Sequence, residues 1–161
     1  MESPASRTEI SLMMDYGQIY FLGGGGTFEG EWNEFVDQAI ADGLVTSDGH
    51  NLVVLSPHQN NFGMQIIVEL WNSRPEDDDI DWQLVVHETI TINDDQTLTI
   101  DSAPGGHAHH IAIPAGSYRI DIAGSGFTTA GDPGTNSPKD HWRVRLWPSA
   151  DQETPANKKW I

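Results

Sequence analysis

The residues in this 161-residue chain best placed to do chemistry are the histidines of Gly106-His107-Ala108-His109-His110. Two His at i and i+2 of a strand point to one side, so His107 and His109 are spaced to share a metal ion. A complete site needs further ligands. The residues that follow, Ile111-Ala112-Ile113-Pro114, offer no carboxylate. The expectation is therefore a polar strand edge after a Gly-rich turn, with no metal and no other cofactor.

A second candidate is the acidic run Glu76-Asp77-Asp78-Asp79-Ile80-Asp81. Calcium loops place oxygen ligands at alternate positions around a Gly and close with a bidentate Glu. These acids are contiguous, no Gly interrupts them, and no Glu follows at the required distance, so the run reads as a solvated loop suited to Lys or Arg of a partner. The glycines Gly23 to Gly26 lack the Lys of a phosphate-binding loop and no alternation of strands and helices surrounds them, which makes them a flexible connector. His58, His87 and His141 stand in no catalytic spacing. There is no Gly-x-Ser-x-Gly, no His-Glu-x-x-His and no cysteine. The chain reads as a binding protein, not an enzyme.

Charge narrows the partner. The sequence holds 24 acidic residues and 8 Lys or Arg, a net charge of −16. From Phe28 to Asp101 there are sixteen acidic residues and one basic residue, Arg74, a local sum of −15. Five of the bases come late, at Lys139, Arg143, Arg145, Lys158 and Lys159. Such a field repels nucleic acids and anionic membranes and attracts basic protein surfaces, although acidity also serves solubility. The absence of cysteine removes disulfides, thiolate catalysis and Cys-ligated zinc, and fits a reducing cytoplasm. The first residues show no signal peptide, and no apolar run approaches a membrane span of roughly 20 residues. A cytoplasmic location is expected.

The elements that must position these residues are mostly strands. Ile10, Leu12 and Met14 alternate; so do Ile19 and Phe21, then Met64, Ile66, Val68 and Leu70, then Leu84 and Val86, Ile90 and Ile92. Leu52 to Leu55 is a continuous apolar run. Glu88 falls on the apolar phase between Val86 and Ile90, and a β-bulge that resets the phase is expected there instead of a buried carboxylate. Asn93-Asp94-Asp95-Gln96 and Pro114-Ala115-Gly116-Ser117 read as hairpin turns. Tyr118, Ile120 and Ile122 share one face, as do Trp142, Val144 and Leu146; Arg119, Asp121, Arg143 and Arg145 face outward. A single helix breaks the pattern. Trp32, Phe35, Val36, Ala39 and Ile40 form its apolar stripe, Gly43 stops it, and Glu31, Glu34, Asp37 and Gln38 line its exposed side. Eight or nine strands and one amphipathic helix predict a mostly β, antiparallel sandwich or jelly-roll-like fold in one domain spanning 1–161, with 1–8 and 151–161 flexible or peripheral.

Three stretches carry a family resemblance: Trp32-Asn33-Glu34-Phe35-Val36-Asp37-Gln38-Ala39-Ile40-Ala41-Asp42-Gly43, the Ser47-Asp48-Gly49 turn, and Ile111-Ala112-Ile113-Pro114-Ala115-Gly116-Ser117-Tyr118-Arg119-Ile120. Together they resemble the bacterial competence nuclease inhibitor family, with its Trp-led helix, Asp-Gly turn and late Pro-x-Gly-x-Tyr hairpin. The resemblance implies an inhibitor or immunity protein that binds and blocks a DNA-degrading nuclease. This chain departs from the pattern in its longer N-terminal segment, its acidic loop and its insertion from Gly124 to Asp140. The leading expectation is an acidic module that neutralises a basic partner, a nuclease or toxin, through Glu31, Glu34, Asp37, Glu76, Asp77, Asp78, Asp79 and Asp81. The alternative is a small metal- or ligand-binding enzyme around His107 and His109. It is similar to the cupins in the opening His-x-His of their metal motif, but the Glu that should follow is missing.

Overall fold

The computed structural model describes residues 3–14, 17–24, 32–42, 44–56, 62–76, 80–102, 108–127, 139–148 and 157–158. Ten strands and one helix are formed among them. The strands are β1 (Ser6–Met14), β2 (Gln18–Leu22), β3 (Val45–Ser47), β4 (Asn51–Leu55), β5 (Phe62–Leu70), β6 (Leu84–Ile92), β7 (Thr97–Asp101), β8 (His109–Ala112), β9 (Gly116–Ser125) and β10 (His141–Pro148); the helix, α1, is Trp32–Asp42. They build a sandwich of two five-stranded sheets, β1-β5-β10-β9-β6 and β3-β4-β2-β7-β8.

Alternation decides which side of each strand enters the core. Leu12, Met64, Ile66, Val68, Leu84, Val86, Ile90, Ile92, Ile120, Ile122, Trp142, Val144 and Leu146 of the first sheet meet Ile19, Phe21, Leu52, Val54, Leu98 and Ile100 of the second in one buried cluster. Each such side chain contributes roughly 1.5–3 kcal/mol of burial. The outer side of the second sheet is also apolar. Tyr20, Leu22 and Val53 point there, and α1 covers them with Ala39 and Val36. This second layer is why Leu52 to Leu55 is a continuous apolar run.

Four expectations need correction. The sandwich is not wholly antiparallel: β10 runs parallel to β5, with Trp142 opposite Ile66 and Val144 opposite Val68. No bulge interrupts β6, whose pairing with β9 runs unbroken from Leu84 opposite Gly124 to Ile92 opposite Gly116. Glu88 therefore stays in phase with the core as a half-buried carboxylate. The two turns are tight but are not hairpins, because β6 and β7, and likewise β8 and β9, lie in different sheets. At the second crossing the Tyr118 hydroxyl donates to the Pro114 carbonyl at 2.6 Å and pins the corner, as tyrosine corners do in other sandwiches. Finally, Ile40 is 60% exposed and does not belong to the buried stripe of α1; the side chains of Trp32 and Phe35 lie outside the described residues.

Gly23 is a fifth revision. It is buried, and a Cβ on it would lie 2.2 Å from the Thr91 carbonyl oxygen. Its amide donates to the His50 carbonyl at 2.8 Å, and its carbonyl accepts from Asn93 at 2.9 Å. The first glycine of the run is thus a close-approach position that stitches β6 to β4, not a flexible connector; Gly25 and Gly26 lie outside the described residues. Ser6, Arg7 and Thr8 sit in β1, opposite Leu70, Glu69 and Val68. No described helix is long and apolar enough to cross a membrane.

Candidate functional site: an acidic crossover loop above a buried ion pair

β6 lies parallel to β5 but at the far edge of the sheet, so the connection from Trp71 to Gln83 must pass over β10 and β9 on their outer side. This crossing carries the acidic run. Pro75 and Trp82 are buried and anchor it. The Trp82 ring meets the Arg143 guanidinium 4.9 Å from its centroid and the His141 ring at 5.6 Å between centroids. Arg145 Nη1 donates to the Glu76 carbonyl at 3.4 Å. Between these anchors Glu76, Ile80 and Asp81 are exposed; Asp77, Asp78 and Asp79 lie outside the described residues.

The loop changes what its floor can be. Arg119, Asp121 and Arg145 alternate away from the core and were expected to face solvent, yet they are 6%, 4% and 8% exposed. Arg145 Nη2 donates to Asp121 Oδ2 at 2.6 Å. His87, directly across from Asp121 in the β6–β9 ladder, brings Nδ1 to 3.8 Å from Asp121 Oδ1. Arg145 bonds both the Asp121 carboxylate and the Glu76 carbonyl, which offsets part of the desolvation cost of the buried pair. Asp121 Oδ1 and Arg145 Nε have no hydrogen-bond partner among the described residues. Sequence reading missed this cluster. Its signal was the placing of opposite charges at alternate positions of two apolar strands, which needs a lid if it is not to face water.

A short segment closes the side of the loop. Lys158 and Val85 exchange backbone hydrogen bonds at 2.8 and 2.9 Å, forming an antiparallel bridge on the open edge of β6. Asn157 Oδ1 accepts from the His87 amide at 2.8 Å. Lys158 Nζ pairs with Asp81 Oδ1 at 2.8 Å, and this bond and charge hold the Asp81 carboxyl below its ordinary value.

The expected partner-binding residues separate into two groups. Asp37 is exposed on α1, outside the second sheet, whereas Glu76 and Asp81 lie outside the first. The side chain of Glu34 and all of Glu31 are outside the described residues. Asp37 on one hand and Glu76 and Asp81 on the other therefore occupy opposite outer sides of the sandwich, and one flat partner meets only one of these two sides.

The histidines diverge. His109 Nε2 bonds the Ser11 carbonyl at 2.9 Å, joining the edges of the two sheets; that bond needs the proton on Nε2 and leaves only Nδ1 for a ligand. His110 points to the other side and bonds Thr99 Oγ1 through Nδ1 at 3.0 Å. His107 lies outside the described residues, as does His58. Among the described residues no three His, Asp or Glu stand close enough to hold a metal ion. A concavity of about 490 Å³ lies elsewhere, lined by Gly24, Thr91, Ile92, Asn93, Asp94 and Asp95.

No protein-family model matches the chain, and no curated protein sequence matches it. Solved structures do share its fold. One is ComJ from Bacillus subtilis, an inhibitor of the DNA degrading activity of NucA, with a TM-score of 0.61 and 14% identity, over 88% of this chain and 96% of ComJ. Another is the product of crocagin biosynthetic gene J, with a TM-score of 0.59 and 12% identity over 89% of this chain and 97% of that one. At these identities the likeness is one of fold.

Proposed function

We propose that this protein is an acidic protein-binding module that inhibits a basic partner, a nuclease or toxin, by covering the surface that the partner offers to nucleic acid. The observation that carries this reading is the fold shared with a nuclease inhibitor along nearly its whole length. The charge supports it independently, since a local sum of −15 from Phe28 to Asp101 complements a phosphate-binding surface and disfavours phosphate binding by the chain itself.

Of the two acidic groups, the crossover loop is the proposed contact. Glu76 and Asp81 flank Asp77, Asp78 and Asp79, and buried Pro75 and Trp82 hold the loop ends in place, which lowers the ordering cost of binding. Glu31, Glu34 and Asp37 on and beside α1 would serve long-range steering.

The test is capture from an extract of the source organism with the immobilised full chain, followed by an activity assay on what is recovered. A basic protein whose DNA cleavage stops when the chain is added in equimolar amount is the expected result. A recovered set without any basic protein, or a nuclease unaffected by the chain, contradicts the reading.

A further inference from the structure

The open edge of β6 carries a resident segment, the one isolated strand bridge among the described residues. On it the backbone of Lys158 exchanges two hydrogen bonds with Val85, Asn157 caps the His87 amide, and the Lys158 ammonium reaches up to Asp81 on the acidic loop. Further along the same edge the Thr91 amide is taken by the Gly49 carbonyl at 2.8 Å. The stretch occupied by Asn157 and Lys158 is thus bounded on the Thr91 side. It offers one strand register, backbone donors and acceptors at Val85, a donor at His87, and a carboxylate positioned for a cation.

These are the requirements of strand addition: main-chain bonds to an exposed edge give affinity, and side-chain contacts beside it give specificity. What sits there defines what fits, namely an extended segment with a lysine. The ion pair that secures it is exposed on both sides, 50% at Lys158 and 95% at Asp81, and such pairs hold weakly. Two backbone bonds, the Asn157 side-chain bond to the His87 amide and one surface ion pair make a short contact that an incoming chain can displace.

We infer that the edge of β6 beneath the acidic loop is a docking strip for an extended, lysine- or arginine-bearing segment of the protein partner, and that Asn157–Lys158 occupies this strip until the partner displaces it. The inference rests on the proposed function for the existence of such a partner, and it adds the binding mode and a built-in competitor. A resident held in the same molecule competes at an effective concentration of about millimolar, so a partner must overcome it before it can bind.

Lys158→Pro in the full chain removes the backbone donor and the ammonium together. In this variant the Val85 and His87 amides, followed by NMR, should exchange with solvent about tenfold faster or more, as opened edges do. A synthetic peptide with the sequence Thr154–Ile161, added at millimolar concentration, should shift the same β6 amides in Lys158→Pro and leave them unmoved in the wild type. A peptide with Glu in place of Lys158, or the chain carrying Asp81→Asn, should weaken that binding several-fold. Unchanged exchange in Lys158→Pro, or a peptide that moves no β6 amide, overturns the inference; so does a Lys158→Pro dimer that the peptide cannot dissociate, which would place a second copy on the edge. If Lys158→Pro does not fold, Lys158→Glu retains the backbone donor and should still speed exchange at His87, with no change counting against the proposal. Once a partner is captured, it should bind Lys158→Pro more tightly than wild type, and equal or weaker binding rules out the competitor. A failed capture alongside successful peptide docking would remove the functional reading and leave the docking strip intact.

Discussion

Glu88 shows what a carboxylate costs on the core side of a strand. Burial raises its pKa above the ordinary value of 4.5, against smaller opposing effects from the Thr89 amide and the Arg119 guanidinium. The folded state therefore holds this proton more tightly than the unfolded chain, so stability is greatest below the unfolded value and declines as pH rises through the window up to the raised one. Glu88→Gln should melt above wild type at pH 7, and the gap should close as the pH falls below the ordinary carboxylate range; thermal scans from pH 3 to 8 check this. Asp121 is the opposite case. Buried and bonded to Arg145, it cannot be lost without leaving an unpaired buried cation, and Asp121→Ala should cost about 3–5 kcal/mol in denaturant unfolding. Asp121→Leu combined with Arg145→Met should recover most of that loss. Burial likewise pushes the Tyr20 phenol up to about 12, with a smaller push from Asp101.

At the scale of elements, alternation was legible in the longer strands because each buries one side in the common core. The three-residue β3 was too short to show a period, and β4 is apolar on both sides. The pairing was not legible. Nothing in Asn93-Asp94-Asp95-Gln96 distinguishes a hairpin from a turn that crosses between sheets, since both need the same tight reversal; here Gln96 adopts φ 55° to complete it. Parallel insertion of β10 between β5 and β9 depends on contacts from distant parts of the chain and leaves no local mark. Glu88 was misread for the same reason: an edge strand in the assembled sandwich gives a core-phase carboxylate partial access to water, so no bulge is required. The candidate loop was legible as acidic, but its anchors, its buried floor and the segment beside it arise only from tertiary packing. Two glycines separate close approach from ordinary strand packing. Gly23→Ala should destabilise by roughly 2–3 kcal/mol, because its Cβ meets backbone that cannot yield. Gly63→Ala, whose Cβ would make ordinary contact with Ser11 Oγ at 3.7 Å, should be neutral or stabilising by up to about 1 kcal/mol, as strand glycines are entropically costly. Chemical denaturation of both variants tests the contrast.

For the whole molecule, the distribution of charge matters more than its total. The late-sequence bases Arg143, Arg145 and Lys158 are engaged with the crossover loop itself, so positive charge is spent beneath and beside the loop while Glu76 and Asp81 are exposed at its ends. The central claim is that this outward charge recognises a basic protein. Its most direct test is the association rate with the captured partner as a function of ionic strength, for the wild type and for Asp77→Asn/Asp78→Asn/Asp79→Asn. Screening acts on long-range attraction, so the wild-type rate should fall at least tenfold between about 0.01 and 0.15 M salt, where the Debye length shrinks from about 30 to 8 Å. The triple variant should bind more slowly at low salt, show a flatter salt dependence, and melt within about 0.5 kcal/mol of wild type. Identical rates and identical salt dependence for the two proteins would contradict the claim and reduce the acidity of the loop to solubility.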